Sequence, residues 1–361
     1  MISTNIIFSV LIISATLSAI SNAILRKFSK SYYLLIDQPD IHRKFHARPT
    51  PLTGGLGIYM GMLISCFVIL NLVNQNYDQL IYIVPYLLFS FICIAVFIID
   101  DLFNISPKLR LILQSSIIGG LLLATGIKIT YLPDLLGFGD INLGFASIPF
   151  TIICCIGLMN AYNMIDGLNG LCSALAINTL FFIFLDNLSI GPILIIGAVL
   201  GFILYNVGLF GKKRTIFLGD NGSNFLGLTV AVACIYYASN INKYNFGTTS
   251  AVTMLWFVAL PLWDCIRVII TRLLAGKGPL TPSRDHIHHI LLRFNYEPQN
   301  VVKILIIISL VLSLFGLTLE NMFYDTPYVS FYSFVFCSLV YLILCIKLIK
   351  INNDAKKQTQ L

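Results

Sequence analysis

Charged residues are scarce in this sequence. Asp and Glu number 16 and Lys and Arg 23 among 361 residues, of which 57% are hydrophobic. No polar stretch is long enough to form a separate water-soluble domain. Cysteine occurs nine times but never as a C-x-x-C pair, and every copy lies in or at the end of an apolar segment. An odd number without a framework argues against disulfides and structural zinc, leaving packing as the simplest role. Internal repeats, sustained heptads and low-complexity stretches are also lacking. The first apolar run has no basic residue before it. Arg26 and Lys27 follow it, so it reads as an uncleaved anchor, although Ser21-Asn22-Ala23 faintly resembles a cleavage site.

What the sequence has is hydrocarbon-length runs. Mean hydropathy is +0.87. Eleven apolar segments fall at about 4–25, 52–73, 80–99, 109–127, 146–162, 170–186, 189–209, 223–240, 249–270, 301–319 and 328–349; a segment of about 20 residues crosses a layer ~30 Å thick. The expected fold is therefore an all-α integral membrane protein, a bundle of about eleven transmembrane helices forming one domain over 1–361. Alternate loops, at about 26–51, 100–108, 163–169, 210–222 and 271–300, and the tail after 349 carry with their helix ends every Lys and Arg except Lys128 and Lys243. The positive-inside rule then puts the N-terminus outside and the C-terminus in the cytoplasm. The net charge of +7 is mostly a topology signal, and no nucleic-acid partner is needed to explain it.

All five histidines and most of the acids fall in those same loops. A transporter usually hides its ionisable groups near the bilayer midplane. Gathered at one surface, they suit an enzyme joining a water-soluble substrate to a lipid.

Four stretches carry the chemistry. In "AVFIIDDLFN" (95–104) a greasy run ends in Asp100 and Asp101. One aspartate would read as a helix end reaching water; an adjacent pair gains most from a divalent cation or a cationic partner. In "NAYNMIDGLNGL" (160–171), Asn160, Asn163 and Asp166 lie on one helical face within an arc of ~120°, followed by Gly167 and Gly170. The bland alternative is a polar helix–helix contact. In "GKKRTIFLGDNGSN" (211–224), the three cations read as topology markers. The Gly-Asp-x-Gly-Ser turn around Asp220 offers a backbone nest for anionic oxygens beside a carboxylate suited to Mg²⁺. In "PLTPSRDHIHHILLRFN" (279–295), Arg284, His286, His288, His289 and Arg293 lack the usual zinc spacing and look like an anion site for phosphates. Together these point to phosphoryl transfer from a nucleotide-linked donor to a lipid acceptor.

From "RPTPLTGGLGI" through the Asp-Asp pair, "NAYNMIDGLNGL" and "FLGDNGS" to "HIHH", the chain resembles the polyprenyl-phosphate N-acetylhexosamine-1-phosphate transferases, over nearly its whole length. "PLWDCIRVIITRLLAGKGPLTPSRDHIHH" looks closest to the branch transferring GlcNAc-1-phosphate or a similar amino sugar. The resemblance implies a UDP-N-acetylamino sugar donor, undecaprenyl phosphate as acceptor, Mg²⁺ as cofactor with Mn²⁺ as a substitute, and a bacterial inner (cytoplasmic) membrane location with the site on the cytoplasmic face. It makes Asp100 and Asp101 the acids facing the lipid phosphate, and Asp220 the principal metal ligand with those two beside it. Asn160, Asn163 and Asp166 would sit in the nucleotide cleft, and Gly167, Leu168 and Asn169 at the uracil pocket. Arg284, His286, His288 and His289 would hold the diphosphate and sugar, and His46 and Arg48 would close the cleft. Many relatives carry Asp where this chain has Asn104 and Asn169. The rival from another class is a membrane transporter of nucleotide sugars or lipid-linked sugars. The glycines at 54, 57, 61, 197 and 201 suit close helix packing, within one chain or in a homodimer.

Overall fold

A computed structural model describes residues 4–39, 48–72, 80–239, 250–279, 281 and 285–359. His46 and Arg284 lie outside these described residues. Each apolar segment holds a helix: α1 (Thr4–Tyr32), α2 (Gly54–Leu72), α3 (Leu80–Phe103), α4 (Pro107–Thr125), α5 (Ser147–Ile165), α6 (Leu171–Asn187), α7 (Ile190–Asn206), α8 (Gly219–Ser239), the pair α9 (Ala251–Phe257) and α10 (Ala259–Leu274), then, after the short α11 (Ile287–Arg293), α12 (Pro298–Met322) and α13 (Pro327–Thr359). Among the described residues, seven of these are long and apolar enough to cross a membrane: α1 to α5, α12 and α13. The pair α9 and α10, bent by 80°, makes an eighth if taken as one span. Helices α6 and α7 have 17 residues each, about 26 Å at 1.5 Å per residue, short of a full crossing by length alone. The chain is thus an all-helical, multi-pass membrane protein. The count of eleven spans goes beyond what helix length and composition give.

Local signals set several ends. Ser106 accepts a hydrogen bond from the Leu109 N–H ahead of α4, with Pro107 in the first turn, and Gly126 closes that helix at φ 71°. Ser250 caps α9 in the same way, and Glu320 accepts from both its N–H and its hydroxyl.

The bundle is built around α8, whose residues 221–231 are all buried and which packs against α5, α3, α2 and α6. Helix α1 lies against α7 and α2 through small residues. Ser14 and Ser18 donate to the Leu194 and Ala198 carbonyls at 2.6 Å each. A side chain at Gly201 would strike the Ala15 carbonyl, and one at Gly57 would strike Asn22. Those close approaches are used inside one chain, the arrangement small residues favour where lipid offers no hydrophobic drive.

Two short ladders decorate the ends. The β1 (Ile36–Asp37) and β2 (Thr50–Pro51) strands pair antiparallel, Ile36 opposite Pro51. They deliver "PLTGG" to α8: Phe217 donates to the Pro51 carbonyl at 2.8 Å and Gly54 to Phe217 at 3.1 Å. The second ladder, Tyr131–Leu132 with Ile141–Asn142, links the far ends of α4 and α5.

Candidate active site

Interhelix contacts bring the C-termini of α3 and α5, the N-termini of α4 and α8, and the histidine segment to one end of the bundle. At the centre is the junction of α3 and α8. Asp101 accepts from the Asp220 N–H at 2.9 Å, from the Asn221 N–H at 3.2 Å and from Asn221 Nδ2 at 2.6 Å. A carboxylate at a helix N-terminus satisfies orphan N–H groups and complements the positive end of the dipole. The nest expected in "GDNGS" therefore exists, and the protein's own Asp101 fills it. Gly219 enters this turn at φ 77°, a backbone region that favours glycine. Asn221, fully buried, also donates to the Leu52 carbonyl at 2.9 Å and accepts from the Leu56 N–H at 3.2 Å. It ties α2, α3 and α8 together.

Asp100 turns the other way. It is 1% exposed; Oδ1 accepts from the Ile105 N–H at 2.7 Å, and Oδ2 pairs with Arg110 Nε at 2.7 Å. Arg110 Nη2 lies 3.4 Å from Asp220 Oδ2, so one guanidinium spans two acids on different helices. Asn104 holds the left-handed position ending α3 (φ 52°), its N–H on the Asp100 carbonyl at 2.8 Å, with its side chain exposed. Asn is at home in that conformation, which gives its amide here a local reason.

The α5 face divides. Asn160 donates to Gln114 Oε1 at 3.1 Å; Gln114 donates to Asn224 at 2.9 Å, and Asn224 to the Asp220 carbonyl at 2.9 Å. This relay is the polar helix–helix contact that the sequence left as the bland alternative, and it supports the base of Asp220. Asn163 accepts from the Ser223 hydroxyl at 3.2 Å. Asp166, just past the end of α5, makes no side-chain hydrogen bond or ion pair among the described residues. Burial, followed by the charges of Asp220 and Asp101, pushes its pKa up to about 8.

Among the described residues, no group of three or more His, Cys, Asp or Glu side chains forms a metal cage. Mg²⁺ does not ask for one: it commonly takes one or two carboxylates and completes its shell with water and substrate phosphates. Asp166, raised by burial and then by the charge of Asp220, and Asp220 itself fit that need.

The histidine segment meets this cleft at Gly167. His288 is 1% exposed with both ring nitrogens buried and unpartnered. Burial, then His289 and His286, push its pKa down to about 3, which favours the neutral ring. A Cβ on Gly167 would collide with its Nε2. Gly167→Ala is expected to push the two loops apart and to cost about 1–3 kcal/mol by overpacking, read as a lowered unfolding temperature in detergent. Leu168 is half-buried and Asn169 exposed. Gly170 donates to Asn206 at 2.6 Å, which fixes the end of that loop. His286 donates or accepts through Nδ1 with Asp264 at 2.8 Å, and His289 is half-buried. Arg48 is exposed before β2.

Sequence reasoning singled out neither Arg110, Gln114 and Asn221 nor Asp264 as site residues. Arg110 carried the one usable signal, a cation nine residues after an acid pair across a Ser-Pro turn.

A helical membrane bundle with acids, one arginine and imidazoles gathered at one end defines a multi-pass protein with a polar cluster at that end. The family profile described as glycosyl transferase family 4 matches residues 83–238, which span Asp100 to Asp220. The undecaprenyl-phosphate alpha-N-acetylglucosaminyl 1-phosphate transferase of Yersinia pestis is 28% identical over 314 residues, 85% of this chain and 83% of its own length. The protein of that name from Escherichia coli K12 is 28% identical over 319 residues, covering 85% and 82%. The probable undecaprenyl-phosphate N-acetylglucosaminyl 1-phosphate transferase of Bacillus subtilis 168 is 29% identical over 294 residues, covering 79% and 77%. Over residues 83–238 the chain is thus similar to glycosyl transferase family 4, and over most of its length to undecaprenyl-phosphate N-acetylglucosaminyl 1-phosphate transferases.

Proposed function

We propose that the protein transfers an N-acetylamino-sugar 1-phosphate, that of GlcNAc in the simplest case, from its UDP-sugar to undecaprenyl phosphate, releasing UMP and forming an undecaprenyl-diphosphate sugar. This would be the first membrane step of a cell-surface polysaccharide such as O-antigen, on the cytoplasmic face of the bacterial inner membrane, in an eleven-span chain with its N-terminus outside. The observation that carries the reading is the meeting of Asp100, Asp166, Asp220 and Arg110 with the histidine segment at one end of the bundle. The names of the relatives support the substrates.

Asp220 and Asp166 would hold Mg²⁺, or Mn²⁺ in its place, which when bound supplies charge neutralisation to the diphosphate and the departing UMP. Arg110, kept in place by Asp100 and 3.4 Å from Asp220, would offer its guanidinium to the same diphosphate. The acceptor is a lipid phosphate oxygen attacking the phosphorus that bears the sugar. By analogy with phosphoserine, the last proton of the acceptor leaves near pH ~6, so much of the nucleophile is already formed at neutral pH. The residues then act chiefly by positioning and by field.

Purified protein, labelled UDP-GlcNAc, undecaprenyl phosphate and Mg²⁺ should give chloroform-extractable label and one UMP per label transferred. Uptake of label into vesicles without either product would establish the transporter instead. In a cysteine-free background, a cysteine at Tyr131 should react with an impermeant thiol reagent in intact cells, and one at Lys213 should not.

A further inference from the structure

The histidine segment is held by a second charged network, apart from the acid cluster. On α10, Asp264 is 1% exposed and Arg267 is 1% exposed. Asp264 Oδ1 accepts from Arg267 Nη2 at 2.7 Å, from the Ile287 N–H at 3.0 Å and from the Tyr341 hydroxyl on α13 at 3.0 Å. Its Oδ2 contacts His286 Nδ1 at 2.8 Å. Arg267 also donates to the Asp285 carbonyl, Arg272 donates to the Pro279 carbonyl at 2.7 Å, and Arg293 meets Asp285 at 3.3 Å. A row of side chains on α10 thus grips the approach to the histidines at Pro279, Asp285, His286 and Ile287.

Stability alone is a weak reason for this arrangement, because well-packed apolar residues commonly serve a core as well as a buried ion pair does. What the network specifies is a ring. With Asp264 as acceptor, His286 carries its proton on Nδ1 in either charge state, which leaves Nε2 for another partner. The His286 ring lies parallel to that of His288 (9°, centroids 5.8 Å apart), and His288 abuts Gly167 of the cleft loop.

We propose that Asp264 is a positioning residue for the transfer reaction: it fixes the tautomer and orientation of His286 so that Nε2 serves the diphosphate of the donor, while Arg267 and Tyr341 hold the carboxylate. The inference rests on the donor reading above. A carboxylate orienting an imidazole is a familiar arrangement around metal-bound histidines, and its loss there costs about 10–100-fold.

The test compares full-length wild type with Asp264→Asn, His286→Gln and the double variant. Asp264→Asn should lower kcat/KM for UDP-GlcNAc by about 10–100-fold and leave KM for undecaprenyl phosphate within about threefold. The double variant should be no worse than His286→Gln alone, because neighbours acting through one group are non-additive. Multiplying effects, or an equal rise in both KM values, would overturn the proposal. Nitrogen-15 NMR of His286 in the wild type should show a protonated Nδ1. A bare Nδ1 would overturn the proposal even if Asp264→Asn fails to fold. If wild type releases no UMP from UDP-GlcNAc, the donor reading fails, and the NMR still decides the Asp264–His286 geometry.

Discussion

Asp220→Asn is expected to lower kcat by at least about 10³-fold, or ~4 kcal/mol on the barrier, with little change in folding. Asp220 opens α8 with a side chain 34% exposed toward the cleft and Arg110 at 3.4 Å. Its carbonyl is held from below by Asn224, at the end of the relay from Asn160. The side chain is thus presented by structure but spent on little of it. Removing its charge gives up a helix-dipole interaction worth about 0.3–1 kcal/mol and relieves repulsion from Asp101 and Asp100. The two effects oppose, so stability should move by less than about 1 kcal/mol. Turnover has no such compensation, because an amide is a poor ligand for a hard cation. UMP release measured across a Mg²⁺ titration, with unfolding followed in detergent, separates the two. Activity within about tenfold of wild type would remove Asp220 from the metal site.

Much of the fold could be read from apolar periodicity. Every segment of hydrocarbon length holds a helix, and the Asp-Asp pair and "GDNGS" fall at helix ends as their neighbours dictate. The contacts between elements could not be read. The spacing of Asn160, Asn163 and Asp166 defines a face but not what lies opposite. Opposite Asn160 is Gln114, reached across 46 residues, so that amide is held in an interhelix relay, while Asp166 keeps its carboxylate unengaged. Arg110 looked like one more positive-inside cation until α4 folded back on α3 and set it between Asp100 and Asp220. Asp264 lay within the quoted stretch "PLWDCIR" without a role attached to it; its value comes from residues 22 and 77 positions away. Glycine in "PLTGG" hinted at close approach, and the partner, Asn221, is set by tertiary structure alone. Side-chain type shows in a sequence; the chain that answers it does not.

The adjacent acids Asp100 and Asp101 are expected to fail differently when neutralised, although their charges and positions look alike. Asp100→Asn should lower kcat by at least ~10²-fold, or ~2.7 kcal/mol, by loosening Arg110, while Ile105 keeps an acceptor in the amide oxygen. Its new NH₂ group faces the Arg110 guanidinium, but that side chain is 29% exposed and can turn to water, so the unfolding temperature should fall less than in Asp101→Asn. Asp101→Asn keeps one acceptor for α8, but its new NH₂ group must face a donor, either the Asp220 N–H or the two donors of Asn221. Two buried donors set against each other leave a hydrogen bond unmade, a cost of about 1–3 kcal/mol. The first turn of α8 carries Asp220, so any shift there moves the cleft as well. Asp101→Asn should therefore lose stability and at least ~10²-fold in kcat together, whereas Asp100→Asn should lose mainly turnover. UDP-sugar binding by calorimetry with Mg²⁺ present should change by less than about tenfold in either variant, ~1.4 kcal/mol. Equal unfolding temperatures for the two variants would mean that Asp101 does not hold α8. Weak donor binding with near-normal turnover at saturation would mean that the pair serves the nucleotide rather than Arg110 and the first turn of α8.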